Sequence, residues 1–442
     1  MGNINREDIL REARDRDIKF VQFWFTDVLG MLKSFTVSPS ELEVAMEEGM
    51  GFDGSSIEGF ARIEESDMIA MPDPETFRLI PWLTDVGPVA RIICDIVNPD
   101  GSPYKGDPRY VLKRVLKRAA DMGFQFYVGP ELEYFYFRSD KGTEALDKGG
   151  YFDLAPADLG DSLRRLTVKT LESMGIQVEY SHHEVAPSQH EIDLRYSECL
   201  KMADAVMTYR VIVKEIAGQH GVYATFMPKP ILEVNGSGMH VHQSLFRGER
   251  NCMYDPDDEY NLSDIAKHYI AGLLVHAREI TAVTSQWVNS YKRLVPGYEA
   301  PVYVSWARRN RSTLVRVPMY KPGKETATRL EYRSPDPACN PYLTFAVMLA
   351  AGLEGIEKKY PLNDPIEEDI YQMSRDKRKL LNIRALPGSL VEAIQEVEQS
   401  DLVRRALGDH VFNKFIENKK VERNLYRRHV SKYEIDKYLP IL

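Results

Sequence analysis

Two carboxylates two residues apart give the first clue to what this sequence does. They lie in Gly129-Pro130-Glu131-Leu132-Glu133-Tyr134-Phe135-Tyr136-Phe137, an aromatic-rich stretch after a Gly-Pro break that predicts a β-strand. Residues two apart share a strand face. Glu131, Glu133, Phe135 and Phe137 therefore line one side, and Leu132, Tyr134 and Tyr136 the other. Like charges beside apolar rings are costly unless a cation lies between them. The pair marks either the wet end of a half-buried strand or a cation site, and other segments must decide.

Four do. Residues 176–184 and 191–195 read as strands joined by a tight turn at Pro187-Ser188, which would set Glu184 opposite Glu191. That register stays open, because proline does not suit the usual two-residue turn. In Asn235-Gly236-Ser237-Gly238-Met239-His240-Val241-His242-Gln243-Ser244 the glycines allow close backbone approach. His240, His242 and Ser244 then share one face, although histidines on strands are also commonly structural. Arg329-Leu330-Glu331-Tyr332-Arg333 makes an Arg-Glu-Arg row, either a charge ladder on a solvated sheet or part of a site. The loop from Lys292 and Arg293 through Pro296, Gly297 and Glu299 to Pro301 carries both signs, and Arg308, Arg309, Arg311 and Arg316 follow it. Such a loop is a lid or a plain connection.

Oxygen-dominated ligation by five glutamates and a histidine suits Mg²⁺ or Mn²⁺ and argues against structural zinc. Divalent cations with arginines are the parts of phosphoryl transfer, where positioning and charge neutralisation carry the chemistry. No Walker loop or kinase signature is present. The residues by themselves predict a metal- and nucleotide-dependent enzyme.

The elements that must position these residues are legible in outline. Asn5 caps a helix over 6–17 with Asp8 as its capping-box partner. Strands over 19–26 and 31–37 form a hairpin, and a short helix over 40–48 ends at Gly49. A loop of small and acidic residues follows, from Phe52 to Phe60, and then strands over 77–83 and 89–97. The Pro/Gly-rich stretch 98–108 reads as a linker, which predicts domains of 1–103 and 104–442. Beyond it, helices are expected over 109–122, 157–173, 197–218, 263–284 and 340–358, the last capped by Asn340. From Pro387 the pattern is helical and charged. Strands and helices mix without βαβ alternation, which predicts an α+β fold with an antiparallel sheet.

The chain has 442 residues, 43% of them apolar and 28% charged, enough for two or three domains with substantial cores. A net charge of −9 argues against nucleic acid, and no apolar run is long enough to span a bilayer. Within that acidic whole, residues 292–333 hold ten Lys/Arg against three Glu, a local excess suited to anions. Four scattered cysteines without metal spacing and an N-terminus charged from Arg6 predict reduced thiols and a cytoplasmic protein.

The segments 52–57, 129–135, 182–191, 235–242, 295–301 and 329–343 resemble, in order, the signature segments of type I glutamine synthetases. The resemblance implies an N-terminal β-grasp domain and a larger catalytic domain of the glutamine synthetase/guanido kinase kind. It also implies a homo-dodecamer of two stacked hexamers with shared active sites. Two or three Mg²⁺ or Mn²⁺ per site would be held by Glu133, Glu184 and Glu191 on one side and Glu131, His240 and Glu331 on the other. His242, Ser244, Arg316 and Arg329 match nucleotide positions. Ser56, Tyr151, Asn235, Gly236, Arg293, Arg311 and Arg333 match substrate positions. Asp53 of a neighbouring subunit would take the ammonium proton, and Glu299 would close over the site, with Arg311 and Arg333 assisting phosphoryl transfer.

The implied reaction joins ammonium to the γ-carboxylate of L-glutamate, with ATP as co-substrate and a γ-glutamyl phosphate intermediate. Alternatives are a ligase for a larger amine and a catalytically silent regulatory homologue. Arg62 matches an arginine associated with glutamine feedback inhibition in α-type enzymes, and a small regulatory protein is a further possible partner. Around Tyr371 the tyrosine segment that β-type enzymes adenylylate is not matched, so adenylylation is not expected. Leu132 and Tyr134 replace the Pro and Phe common in the family, away from the implied ligands.

Overall fold

A Pro/Gly segment ending at Asp107 separates two sheets in the computed structural model, which describes residues 5–55, 57, 67–320 and 323–442. In the first sheet β1 (Phe20–Thr26) and β2 (Leu32–Val37) form the expected antiparallel hairpin. The Asp27 carboxylate fixes its turn by accepting the N–H groups of Leu29 and Met31, each at 2.9 Å. With β3 (Met50–Asp53), β4 (Asp67–Pro72), β5 (Arg78–Leu79) and β6 (Val89–Val97) the strand order is β2-β1-β6-β4-β3, with β5 beside β6. The β1/β6 pair is parallel, giving a β-grasp sheet with helix Arg6–Asp15 across it. That helix carries the Asn5–Asp8 capping box and buries Ile9 with Phe23 and Ile92.

Two local expectations change. The strand expected over 77–83 is only Arg78–Leu79, since Pro81 has no N–H with which to continue a ladder. The loop expected from Phe52 begins later, because Phe52 and Asp53 still pair with Met68 and Asp67.

The second sheet adds β7 (Gln125–Phe137), β8 (Val178–His183), β9 (Gln189–Leu194), β10 (Ser197–Glu198), β11 (Tyr223–Thr225), β12 (Met239–Arg247), β13 (Arg250–Asn251), β14 (Tyr303–Ala307), β15 (Thr313–Arg316) and β16 (Leu330–Tyr332). Its main order is β14-β15-β16-β12-β7-β9-β8. It is antiparallel as expected, except for the parallel β14/β15 pair. β7 is the spine: β12 and β11 run along one edge, and β9 and β10 share the other. Pro130 is tolerated mid-strand because that second edge has a gap there. β9 reaches Glu131 and β10 reaches Val128, so the missing N–H costs no ladder bond.

Alternation along β7 is the predicted one, with a refinement. Leu132, Tyr134 and Tyr136 enter the main core, where helices Cys199–Gln219 and Pro341–Lys358 cover the sheet. Phe135 and Phe137 do not join it. Their rings stack 5.8 Å apart in a satellite cluster with Ala186, Ile231 and Val234.

Among the helices, the single one expected over 263–284 breaks at His276 into Asp264–Val275 and Ala277–Thr284. Apolar periodicity runs on across that break and hides it. The helix expected from 157 starts at Asp161, because Asp158 is occupied by the Arg164 guanidinium at 2.6 Å. The C-terminal helices are Leu390–Glu398, Asp401–Arg428 and Lys432–Tyr438. Buried Arg109 joins the two sheets through Asp73 and Asp95 on one side (both 2.6 Å) and Asp204 on the other (3.0 Å). No helix among the described residues is long and apolar enough to cross a membrane, and all four cysteines are free and buried.

Candidate active site

Glu131 and Glu133, facing outward from β7, sit where two hollows meet. A cleft of about 640 Å³ is lined by Glu131, Glu133, Tyr151, Glu184, Glu191, Asn235, Gly236, His240, Arg293, Glu299, Arg311, Arg316, Glu331 and Arg333. A smaller one of about 200 Å³ is lined by Glu131 again, with His242, Ser244 and Arg329. The strand thus stands between the residues matched to nucleotide and those matched to substrate, apart from Arg316, which lies in the larger cleft.

Three strands assemble the first carboxylate group. Across the β7/β12 pair His240 is opposite Glu131, and across β12/β16 His242 is opposite Glu331. Glu131 accepts from His242 Nε2 at 2.6 Å and lies 3.3 Å from His240 Nδ1. Burial followed by Arg333 lowers the His240 pKa. Glu331 is fully buried between the guanidinium groups of Arg316 and Arg333. That removes the solvated-ladder alternative for the Arg-Glu-Arg row. Against its burial, Arg333 and then the histidines pull Glu331 down to about 2. Glu131 is likewise held well below the carboxylate range, burial being outweighed by His242 and His240.

The second group is built differently. β9 sets Glu191 opposite Glu133 on β7 and opposite His182 on β8. The sequence-based register with Glu184 facing Glu191 is therefore wrong. Glu184 lies just past the strand, its N–H bonding the Gln189 carbonyl at 2.7 Å. The turn spans residues 185–188, with Ser188 at a φ of 62°, and so has room for Pro187 where a two-residue turn would not. Glu184 and Glu191 still converge: with His182 they offer ligand atoms that all lie within 4.8 Å of one another, as do Glu131, His240 and Glu331. Glu133 accepts from Gln189 Nε2 at 2.8 Å and the Gly238 N–H at 3.0 Å. Burial, then Glu184, pushes Glu133 up to about 8. Burial and Asp193 push Glu191 well above its ordinary value.

His182 is the residue that reading the sequence missed as a site member. Its Nε2 lies 3.1 Å from Glu184, and the His182–Glu184 spacing of two, the same signal used for Glu131 and Glu133, would have found it. The donor set fits divalent cations at both places: two carboxylates and an imidazole converge in each.

The remaining positions divide. The glycines of the 235–244 segment are required for packing: a Cβ on Gly236 would lie 2.3 Å from the Pro228 carbonyl, and one on Gly238 would meet Arg293 at 2.4 Å. Arg293 directs its guanidinium to the main-chain carbonyls of Ser334, Pro335 and Arg333 (2.7–3.2 Å) while still lining the cleft. Asn235 Nδ2 donates to Glu299 at 3.0 Å. The Tyr151 ring packs edge-on to His182, centroids 5.3 Å apart. Asp53 is not part of this chain's own cleft. It is exposed at the end of β3, and Ser55 donates to its carboxylate from N–H (2.8 Å) and hydroxyl (2.7 Å), lowering its pKa. Ser56 and Arg62 lie outside the described residues.

The chain is similar to known proteins along nearly its whole length. Residues 17–99 match the family "Glutamine synthetase, beta-Grasp domain", and residues 105–438 match "Glutamine synthetase, catalytic domain". The chain is 55% identical over 442 residues to a glutamine synthetase of Mycolicibacterium smegmatis, covering 99% of each chain. It is 53% identical over 441 residues to one of Methanosarcina mazei, covering 99% of this chain and 98% of the other. Among solved structures it is similar to the cryoEM Plasmodium falciparum glutamine synthetase, with a TM-score of 0.88 at 25% identity over 98% of each chain. Matches to both domains and identity along the full length agree with the paired carboxylate groups astride β7: this chain belongs to the glutamine synthetase family.

Proposed function

We propose that the chain ligates ammonium to the γ-carboxylate of L-glutamate, forming L-glutamine, ADP and phosphate through a γ-glutamyl phosphate. The observation that carries this reading is that both carboxylate groups line the larger cleft together with Arg293, Arg311, Arg316 and Arg333, while Glu131 also borders the smaller hollow. A carboxylate does not react with ammonia at neutral pH because oxide is a hopeless leaving group; phosphorylation lets that oxygen leave as phosphate. Mg²⁺ or Mn²⁺, two or three per site, held by Glu131, His240 and Glu331 and by Glu133, Glu184 and Glu191, supplies neutralisation of phosphate and carboxylate charge.

The chain's own groups do the rest. His242, Ser244 and Arg329 hold the nucleotide in the smaller hollow. Arg311, Arg316 and Arg333 face the transferring phosphoryl group, where positioned positive charge lowers the barrier. Asn235, Gly236 and Arg293 shape the glutamate end. Asp53 of a neighbouring subunit, kept ionised by Ser55 and aided by Ser56, takes a proton from ammonium beside Tyr151, so that ammonia attacks. Glu299 covers the acyl phosphate, excludes water and accepts the proton lost as the adduct collapses. This requires an oligomer, which we take to be a dodecamer of domains 1–103 and 104–442, cytoplasmic and of the non-adenylylated α-type. Arg62 is assigned to glutamine inhibition.

The test is an assay of ADP, phosphate and glutamine with glutamate and ATP, supplying ammonium or a series of alkylamines. Glutamine formation with ammonium as the preferred amine is expected. A preference for a larger amine would replace the substrate, and no turnover with any amine would leave a silent homologue.

A further inference from the structure

We propose that Tyr371 is a positioning residue for this reaction: its hydroxyl latches the carbonyl of Ala300 and so holds Glu299 over the cleft. The inference rests on the proposed ligase activity and deepens it, because nothing above gives Tyr371 a part.

Glu299 lies between the short helix Ser290–Arg293 and β14. Its backbone is left-handed at a φ of 56°, two residues after Gly297 at 97°. A glutamate adopts that conformation only where surrounding structure imposes it, and three contacts are available to do so. Asn235 Nδ2 donates to the Glu299 carboxylate at 3.0 Å. The Lys229 ammonium lies over the Tyr298 ring, 4.0 Å from its centroid. Tyr371 Oη donates to the Ala300 carbonyl at 2.5 Å.

These contacts are not equivalent. The Asn235 bond occupies an oxygen that Glu299 needs for proton chemistry, so it weakens when the carboxylate acts. The Tyr371 bond touches only the main chain immediately after Glu299. It can persist through the reaction while leaving both carboxylate oxygens free.

Tyr371 is itself firmly held. It sits in the single-turn helix Ile370–Gln372, whose preceding Asp369 carboxylate accepts the Tyr371 N–H at 2.9 Å. The Ile370 N–H bonds Ser312 Oγ at 3.2 Å. Its ring lies 6.1 Å from that of Tyr303 and packs with Leu294, Ala300 and Val302. The same ring lines the cleft with Glu299, Arg293 and Arg333. A phenol is a protonated donor at neutral pH, so the latch stays engaged under working conditions.

Its chemical consequence is protection of the acyl phosphate. If the Ala300 peptide swings away, water reaches the acyl carbon. The water oxygen bonds to that carbon, the carbon–oxygen bond to phosphate breaks, phosphate departs with the bonding pair, and glutamate is regenerated. ATP is then consumed without glutamine. Attack by the substrate's own α-amine is the other leak; it forms a cyclic lactam and releases the same phosphate.

The experiment measures phosphate and glutamine in the same reactions for the full-length protein, Tyr371→Phe and Tyr303→Phe. Tyr303→Phe keeps the ring packing and the Tyr371 hydroxyl. Wild type and Tyr303→Phe should release one phosphate per glutamine. Tyr371→Phe should release about twofold or more phosphate per glutamine and show an ammonium KM raised about tenfold, with nucleotide affinity unchanged. Amide hydrogen exchange across residues 298–302 should quicken in the same variant. One-to-one stoichiometry with an unaltered ammonium KM in Tyr371→Phe overturns the latch, as does an equal leak from Tyr303→Phe. A wild type that makes no glutamine overturns the underlying ligase reading instead.

Discussion

Glu131 and Glu133 are the same residue type on the same face of β7, yet their proton affinities are shifted in opposite directions. Half-buried Glu131 and fully buried Glu331 sit among His240, His242, Arg316 and Arg333 and are held below the ordinary carboxylate range, Glu331 at about 2. Glu133 and Glu191 are also buried, but their nearest charged neighbours include Glu184 and Asp193, and both are pushed up, Glu133 to about 8. One group has its positive charge built in; the other leaves that charge to be supplied. The reaction has the same asymmetry. In the proposed reaction the arginines of the first side would meet the nucleotide phosphates, whereas the Glu133 side would take a bound cation.

The sharpest way to break this comparison is one substitution made on each side. Glu331→Gln strands the buried Arg333 guanidinium and the partly exposed one of Arg316. It should lower stability by about 3–5 kcal/mol, as removal of one partner from a buried ion pair does, and abolish turnover. Glu133→Gln removes a group that burial already disfavours as an anion. In chelator-treated protein its urea midpoint should be unchanged or higher, while turnover falls about 100-fold or more for loss of a proposed metal ligand. Equal destabilisation by both would show that the two groups are electrostatically alike.

A second test uses pH. Glu133 is raised from 4.5 to about 8, so the folded protein keeps a proton there that the unfolded chain releases. The stability it contributes is full below pH 4.5 and is lost as pH rises through about 8. A divalent cation must displace that proton. Its affinity for the Glu133 group should therefore rise about tenfold per pH unit for each proton displaced, from pH 6 up to about 8, and then level off. Calorimetry in two buffers of different ionisation enthalpy counts the protons; no proton release would contradict the assignment.

The smallest expected effect concerns His182. Its bond to Glu184 orients that carboxylate, and His182→Ala should weaken cation binding on the Glu133 side by about tenfold with little change in nucleotide affinity. A larger effect on nucleotide would place His182 in the other group.

Much of this was legible beforehand, for reasons that differ from segment to segment. A strand period of two is enough to put Glu131 with Glu133 and His240 with His242, and the capping box at Asn5–Asp8 is a purely local signal. What failed was decided at a distance. The β8/β9 register depended on a turn that holds Ser188 in a left-handed conformation, and proline in the turn announced irregularity without fixing its length. The break at His276 was masked by continuous apolar periodicity. The Phe135/Phe137 cluster formed apart from the main core because residues 186, 231 and 234 meet it there, which no local pattern encodes.

The sequence by itself determined which side chains share a face and that Glu131 and Glu133 crowd like charge, because strand alternation and the cost of crowding like charges are local facts. Only the tertiary structure decided that Glu131 and Glu133 have opposite proton affinities. That depends on which neighbours β9, β12 and β16 bring within a few ångströms in a low-dielectric interior, where two histidines beside Glu131 and a second carboxylate beside Glu133 shift their pKa values in opposite directions.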